Sequence, residues 1–188
     1  MEINLDHTIN SGQVFLWQKH GKRWYGVNGN DVLAVDEAKP SHVFSHRGID
    51  YDLFRQGDNF DAILRKISKD KAIKGAARKF PGLRLMRQDP FQCYISFIIS
   101  SNSSIQNIRL TLQKMSKKFG KKITFEKKGF HLFPEPKKLA AATSAELSSC
   151  GLGYRAEFVK NAAVAVKEKQ IDFEFLKKAS YDTAKESL

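Results

Sequence analysis

Three short stretches carry side chains whose types and spacing suit contact with a ligand. Residues 94–108 read YISFIISSNSSIQNI: a run apolar enough to be buried gives way to five small polar residues, and apolar spacing then resumes. If SSNSS turns the chain between two helices, the second helix presents free backbone N–H groups and the positive end of its dipole there, a setting that favours phosphate. Asn102 at the tip has a donor and an acceptor on a short side chain, which suits base edges. The alternative is a capped interhelical turn with no further role. Residues 151–155 read GLGYR, in which two glycines permit positive φ or close backbone approach. Tyr154 can stack there, and Arg155 can fork onto phosphate or base. The same residues also make a glycine helix stop, a core tyrosine and a surface arginine. In NSGQVFLW, residues 10–17, Gly12 enters a strand where another molecule could approach the backbone, or where core aromatics simply begin.

Composition narrows the class of ligand. The chain has 188 residues, 41% hydrophobic, with 32 Lys and Arg against 20 Asp and Glu, a formal charge of +12. A field of that sign draws polyanions, nucleic acid foremost; a solubilising surface is the plainer reading. No membrane partner is expected, since the longest apolar run falls far short of a span and no basic amphipathic helix carries bulky apolar residues. MEINLDHTIN has neither a basic n-region nor an apolar h-region, so no signal peptide is expected and the location is intracellular. Cys93 and Cys150 lie far apart with no CxxC pairing, and the five histidines are scattered. The sequence therefore implies no metal and no cofactor. No G-x-x-x-x-G-K-S/T pattern occurs, which excludes a P-loop.

The elements that must position these stretches are legible from period and punctuation. The first fifty residues read as strands: FLWQKHGKRWYGV turns at Lys19–Lys22, and VNGNDVLAV at Asn28–Asn30, giving a twisted antiparallel meander. From Asp61 the period becomes helical, with Ile63, Leu64 and Ile67, then Ile73, Ala76, Ala77 and Phe80, until Pro81-Gly82. Asp89-Pro90 is an N-cap followed by proline at N1, and the helix it opens is apolar all round and so central. Ser103-x-x-Gln106 reads as a capping box, with Ile105, Ile108, Leu112, Met115 and Phe119 following. KKITFEKKGFHLFP reads as a short exposed hairpin or irregular insertion. Thr143-x-x-Glu146 is a second capping box whose helix stops at Gly151, and Tyr154, Phe158, Ala162 and Val166 restart a helical face. Ser180 caps a last helical stretch, SYDTAKESL.

SGQVFLW, RQDPFQCYISFIISSNSSI and CGLGYRAEFV, in that order, resemble the 8-oxoguanine DNA glycosylases of the helix-hairpin-helix superfamily; PGLRLMRQDP and LAAATSAELSSCGLGYRA are especially similar. The resemblance runs from about residue 8 to the end. It implies an α+β fold: a TBP-like twisted antiparallel sheet with flanking helices over residues 1–82, then an incomplete all-helical domain over 83–188. It implies a monomer that acts on double-stranded DNA containing 8-oxoguanine, in base-excision repair, as an N-glycosylase with AP-lyase activity.

By the same resemblance Asn102 fills the gap left in the duplex by the flipped nucleotide. Tyr154 presses into the stack, and Arg155 addresses the orphaned cytosine. Gly12 offers its carbonyl to the N7–H that distinguishes 8-oxoguanine from guanine, with Phe15 packed behind it. Asn107 stands where many eukaryotic relatives carry an arginine that helps read the cytosine, which implies relaxed discrimination for the opposing base. Leu16 replaces an arginine often seen there. The family's catalytic lysine and assisting aspartate are expected beyond Leu188, so no catalytic residue is assigned and this chain is expected to bind DNA without cutting it. The alternatives are a non-catalytic damaged-DNA-binding paralogue, a glycosylase for alkylated bases, or a single-strand stacking module.

Overall fold

The structure, a computed structural model, describes residues 2–187 and divides into two compact units. The first comprises Met1–Val27 and Asp31–Gln88; the second comprises Asn28–Asn30 and Asp89–Leu188.

The first unit opens on a short helix, α1 (Leu5–Ile9), capped by the Asn4 side chain, which accepts the His7 N–H at 2.9 Å. The expectation of strands throughout the first fifty residues misses this helix, which is too short for its period to show. Four antiparallel strands follow: β1 (Trp17–His20), β2 (Arg23–Asn28), β3 (Asp31–Asp36) and β4 (Val43–Ser45), neighbours in that order. The two turns fall where the sequence places them, with Gly21 at φ 60° and Gly29 at φ 62°. Leu5, Ile9, Val14, Trp17, Trp24, Leu33, Val35, Leu53, Phe54 and Met86 form the core of this unit. Buried Asp31 anchors the far end of the sheet, accepting from the Val32 N–H (2.7 Å), the Ser45 hydroxyl (2.5 Å) and the Tyr51 hydroxyl (3.2 Å).

Helices α2 (Phe60–Ile67) and α3 (Lys71–Lys79) start at Asn59 and Asp70, whose side chains accept N–H groups of the first turn. Both are amphipathic as their spacing predicts, yet neither buries a residue. Ile63, Ile67, Ile73 and Phe80 are each over 40% exposed and, with Phe54, Phe60 and Leu85, border an apolar recess of about 420 Å³. The segment after Gly82 stays with this unit. Arg84 N–H donates to Thr8 Oγ1 (3.1 Å), Met86 N–H to Gln13 Oε1 (2.8 Å) and Arg87 N–H to the Leu53 carbonyl (2.8 Å). These bonds carry the division to Gln88–Asp89, past the 82/83 boundary read from the sequence.

In the second unit, α4 (Pro90–Ser100) begins as its punctuation predicts: Asp89 Oδ1 accepts the Gln92 N–H at 2.8 Å and Pro90 occupies the first turn. It buries Phe91, Gln92, Ile95, Ser96 and Ile99 but leaves Phe97 about half exposed, so it is central on one face only. Helix α5 (Ile105–Phe119) is capped by Ser104, whose hydroxyl accepts the Asn107 N–H at 3.3 Å. The Ser103–Gln106 box is therefore corrected by one residue, because Ser103 closes the preceding turn instead. KKITFEKKGFHLFP forms a hairpin, β5 (Lys122–Phe125) and β6 (Lys128–His131), with Phe130, Leu132 and Phe133 buried. The hairpin read from the sequence thus forms within the otherwise helical second unit, but it is not wholly exposed. The unit continues through α6 (Pro136–Ala141), α7 (Ser144–Leu147), a π-helical turn at Ser148–Leu152, α8 (Arg155–Lys167), α9 (Phe173–Leu176) and α10 (Tyr181–Glu186). The Thr143–Glu146 capping box forms with both reciprocal bonds.

Burial pushes the Asp89 carboxyl above its ordinary value near 3.8, against the lowering pull of the Gln92 and Phe91 N–H groups. A raised carboxyl value means that the folded state disfavours the charge. That penalty is absent below pH 3.8, where both states are protonated, and grows as pH rises through the folded value. Asp89→Asn keeps an equivalent cap without the charge. It is expected to be at least as stable as the parent at pH 7 in denaturant titrations, with any gain gone by about pH 3.5. Asp89→Ala, which orphans the Gln92 N–H, is expected to cost about 1 kcal/mol.

Candidate nucleic-acid interface

The residues singled out in the sequence divide between the two units. Gly12 and Phe15 belong to the first; Asn102, Asn107, Tyr154 and Arg155 belong to the second.

Gly12 sits at φ 88°, in the left-handed region that favours glycine, in the turn between α1 and β1. Its neighbour Gln13 fixes the turn from both ends of its amide. Nε2 donates to the carbonyls of Thr8 (3.0 Å) and Arg84 (2.9 Å) and to the Ser11 hydroxyl (2.9 Å), while Oε1 accepts the Met86 N–H at 2.8 Å. Phe15 is buried, at 5% exposed. Gln13, whose part in this turn the sequence reading passes over, pins it through contacts more than seventy residues away in the chain.

The second unit brings SSNSS and GLGYR together. Ser100–Ser103 is a four-residue turn closed by the Ser103 N–H donating to the Ser100 carbonyl at 3.2 Å, with Asn102 at φ 49° and its side chain exposed. Arg155 reaches this turn from the first residue of α8: Nε and Nη2 donate to the Ser101 carbonyl at 2.9 and 2.6 Å, and Nη2 to the Asn102 carbonyl at 2.9 Å. Gly151 (φ 95°) and Gly153 (φ 55°) both have positive φ, as their pairing predicts, and let the chain leave the π-helical turn sharply enough to start α8 there. A recess of about 250 Å³ lies between the two stretches, bordered by Asn102, Asn107, Lys114, Gly151 and Arg155.

Helix α8 buries Ala156, Val159, Ala162 and Ala163, so that of the face read from the sequence Ala162 is covered but the Tyr154–Phe158 edge is not. The small residues at i, i+3 and i+7 win because they let α8 approach its neighbours closely. Tyr154 (61% exposed) and Phe158 (57% exposed) are thereby left as an edge-to-face pair with centroids 6.2 Å apart, beside the recess-lining Arg155. Tyr154 is not a core tyrosine. Seventeen Lys and Arg against ten Asp and Glu make this unit the more basic of the two, and α5 carries no acid at all. Among the described residues no lysine is buried, and no helix is long and apolar enough to cross a membrane. Burial raises both the Cys93 and Cys150 thiols, so neither offers a thiolate.

An antiparallel sheet followed by a mainly helical unit makes this an α+β protein, and its second unit carries an exposed asparagine, an exposed tyrosine and a forked arginine on basic ground. Residues 1–94 match the family model described as 8-oxoguanine DNA glycosylase, N-terminal domain, and the chain belongs to that family. It is 28% identical over 185 residues to "N-glycosylase/DNA lyase OGG1" of Arabidopsis thaliana, covering 89% of this chain and 50% of that protein. It is 32% identical over 129 residues to "N-glycosylase/DNA lyase" of Saccharomyces cerevisiae, covering 68% of this chain and 32% of that one. The chain thus spans about half or less of these relatives' length. Among solved structures, the Clostridium acetobutylicum 8-oxoguanine glycosylase/lyase bound to double-stranded DNA with cytosine opposite 8-oxoG superposes with TM-score 0.88 at 25% identity, covering 98% of this chain and 66% of that one. The 3-methyladenine DNA-glycosylase of Archaeoglobus fulgidus, at 16% identity and TM-score 0.75, shares the fold.

Proposed function

We propose that this chain is the lesion-reading and duplex-opening part of an 8-oxoguanine N-glycosylase/DNA lyase of base-excision repair. The observation that carries the reading is the convergence of Asn102, Asn107, Tyr154 and Arg155 on one exposed, basic face of the second unit. Taking a nucleotide out of the stack costs a few kcal/mol, and side chains that occupy the vacated space offset that cost. Asn102, on a turn rooted in buried α4 and capped α5, is the wedge; Tyr154 stacks beside it. Gly12, held at positive φ by the Gln13 amide, presents its backbone to the lesion base, where a fixed carbonyl rewards an N7–H and repels a bare N7. Asn107, shorter than arginine and uncharged, relaxes the demand for cytosine opposite the lesion.

The lyase step needs an amine nucleophile of lowered pKa, which requires desolvation or a neighbouring cation. No described lysine is buried, so none in this chain is assigned that role. Two measurements on an 8-oxoguanine·cytosine duplex test the reading. Tyr154→Ala is expected to weaken binding roughly 5- to 150-fold, the loss of about 1–3 kcal/mol of stacking, with no change in melting temperature because the ring is mostly exposed. Borohydride treatment of the unmodified chain on the same duplex is expected to leave no covalent adduct. Unchanged binding by the tyrosine variant would sink the stacking role of Tyr154; an adduct would show that a lysine of this chain is the nucleophile.

A further inference from the structure

We infer that Arg155, in the protein free of DNA, is a positioning residue that holds the Ser100–Ser103 turn in its type II form and so sets the pose of Asn102. Ser101 lies at φ −53°, ψ 117°, and Asn102 at φ 49°, the conformations of the two central residues of a type II turn. In that form the middle peptide, between Ser101 and Asn102, has its carbonyl on the face opposite to that in a type I turn. The Ser101 carbonyl therefore meets the guanidinium, which takes it with two N–H groups at 2.9 and 2.6 Å. A flip to type I would exchange that carbonyl for the Asn102 N–H and set donor against donor. Positive φ is disfavoured for a side chain other than glycine, least so for asparagine. The charge-assisted fork offsets that residual preference. A third bond, to the Asn102 carbonyl at 2.9 Å, fixes the far side of the same residue, and the Tyr154 ring 4.7 Å from the guanidinium carbon limits where the fork can swing.

The consequence for DNA rests on the reading of Asn102 as the wedge. Arg155 then acts through Asn102, and its removal weakens binding by the same factor whichever base lies opposite the lesion. An arginine that only reads the orphaned base would instead lose affinity most for cytosine.

The test starts on the free chain, labelled with 15N and 13C. In a type II turn the Ser101 Hα lies close to the Asn102 amide proton, giving a strong NOE; in type I it is weak. The parent should show the strong NOE, Arg155→Ala should lose it, and Arg155→Lys, which cannot fork, should show an intermediate one. The remaining amide spectrum reports whether each variant is folded. Should the alanine variant fail to fold, the lysine variant decides. A strong NOE retained in a folded variant overturns the inference, whatever DNA does. The second arm measures Kd on lesion duplexes for Arg155→Ala, Asn102→Ala and the double variant. Equal losses for all opposing bases, with the double variant no weaker than Asn102→Ala, are expected. Additive losses, or losses confined to cytosine, overturn action through Asn102. A lost NOE with unchanged binding keeps the turn lock and removes the wedge.

Discussion

Gly26→Ala is expected to destabilise the protein by about 3 kcal/mol and lower its melting temperature by roughly 10 °C. Gly26 lies on β2 directly opposite Trp17 of β1, and the indole covers it: a Cβ there would fall 2.0 Å from Cε2 and 2.1 Å from Cδ2 of the ring. Those atoms are the middle of a rigid bicycle, not the end of a flexible chain, and Trp17 is itself 8% exposed within the core of the unit. Either the ring leaves its site or the two strands part. Gly26 does not have positive φ, so the penalty is steric alone. Gly75 supplies the internal control. It lies in exposed α3 with nothing within 4 Å of its Cβ position, and Gly75→Ala is expected to stabilise by about 0.5–1 kcal/mol through helix propensity. Thermal melts of the two variants should move in opposite directions. A Gly26→Ala protein melting within 2–3 °C of the parent, a margin of about 1 kcal/mol, would show that Trp17 does not lock the sheet. Because β1 continues the SGQVF segment, with the Val27 N–H donating to the Leu16 carbonyl at 3.1 Å, the same substitution should also disturb the turn that holds Gly12.

The features legible in the sequence are those set by local chemistry. Asp89-Pro90, the Thr143–Glu146 box, the glycine turns of the meander and the paired positive-φ glycines of GLGYR each depend on a few adjacent residues, and each forms as read. What escaped depends on neighbours distant in sequence. The buried stripe of α8 is chosen by what packs on it: Ala156, Val159 and Ala163 against Tyr154 and Phe158 is a contest that period alone cannot settle. The role of Gln13 is invisible until Arg84 and Met86, more than seventy residues on, supply a carbonyl and an N–H. The fork of Arg155 is likewise a contact across more than fifty residues, to a turn whose form no motif specifies. The apolar faces of α2 and α3 were legible as faces, but amphipathic period says nothing of whether a face is covered.

Duplex DNA binding by this chain is expected to weaken about 500-fold between 50 and 200 mM monovalent salt. Each phosphate neutralised by a cation contributes about −0.9 to the slope of log K against log salt, so five contacts give roughly −4.5, and a fourfold rise in salt then costs about that factor. The second unit has the charge to make them, with seventeen basic residues against ten acidic. Some are already engaged by the chain. Lys118 donates to the Glu146 carbonyl (3.1 Å) and the Ser149 hydroxyl (2.9 Å), Lys137 pairs with Glu135 (2.8 Å), and Lys177 with Glu174 (2.5 Å). Lys114 is the better candidate, exposed on α5 and bordering the recess beside Asn102 and Arg155. Lys114→Ala is expected to shrink the slope by about 0.9 and to weaken lesion and undamaged duplexes alike, since phosphate carries no lesion information. Tyr154→Ala should instead leave the slope unchanged while lowering affinity at every salt concentration, because stacking releases no counterions. A slope near zero would mean that the +12 charge serves solubility, and the basic face would lose its claim to DNA.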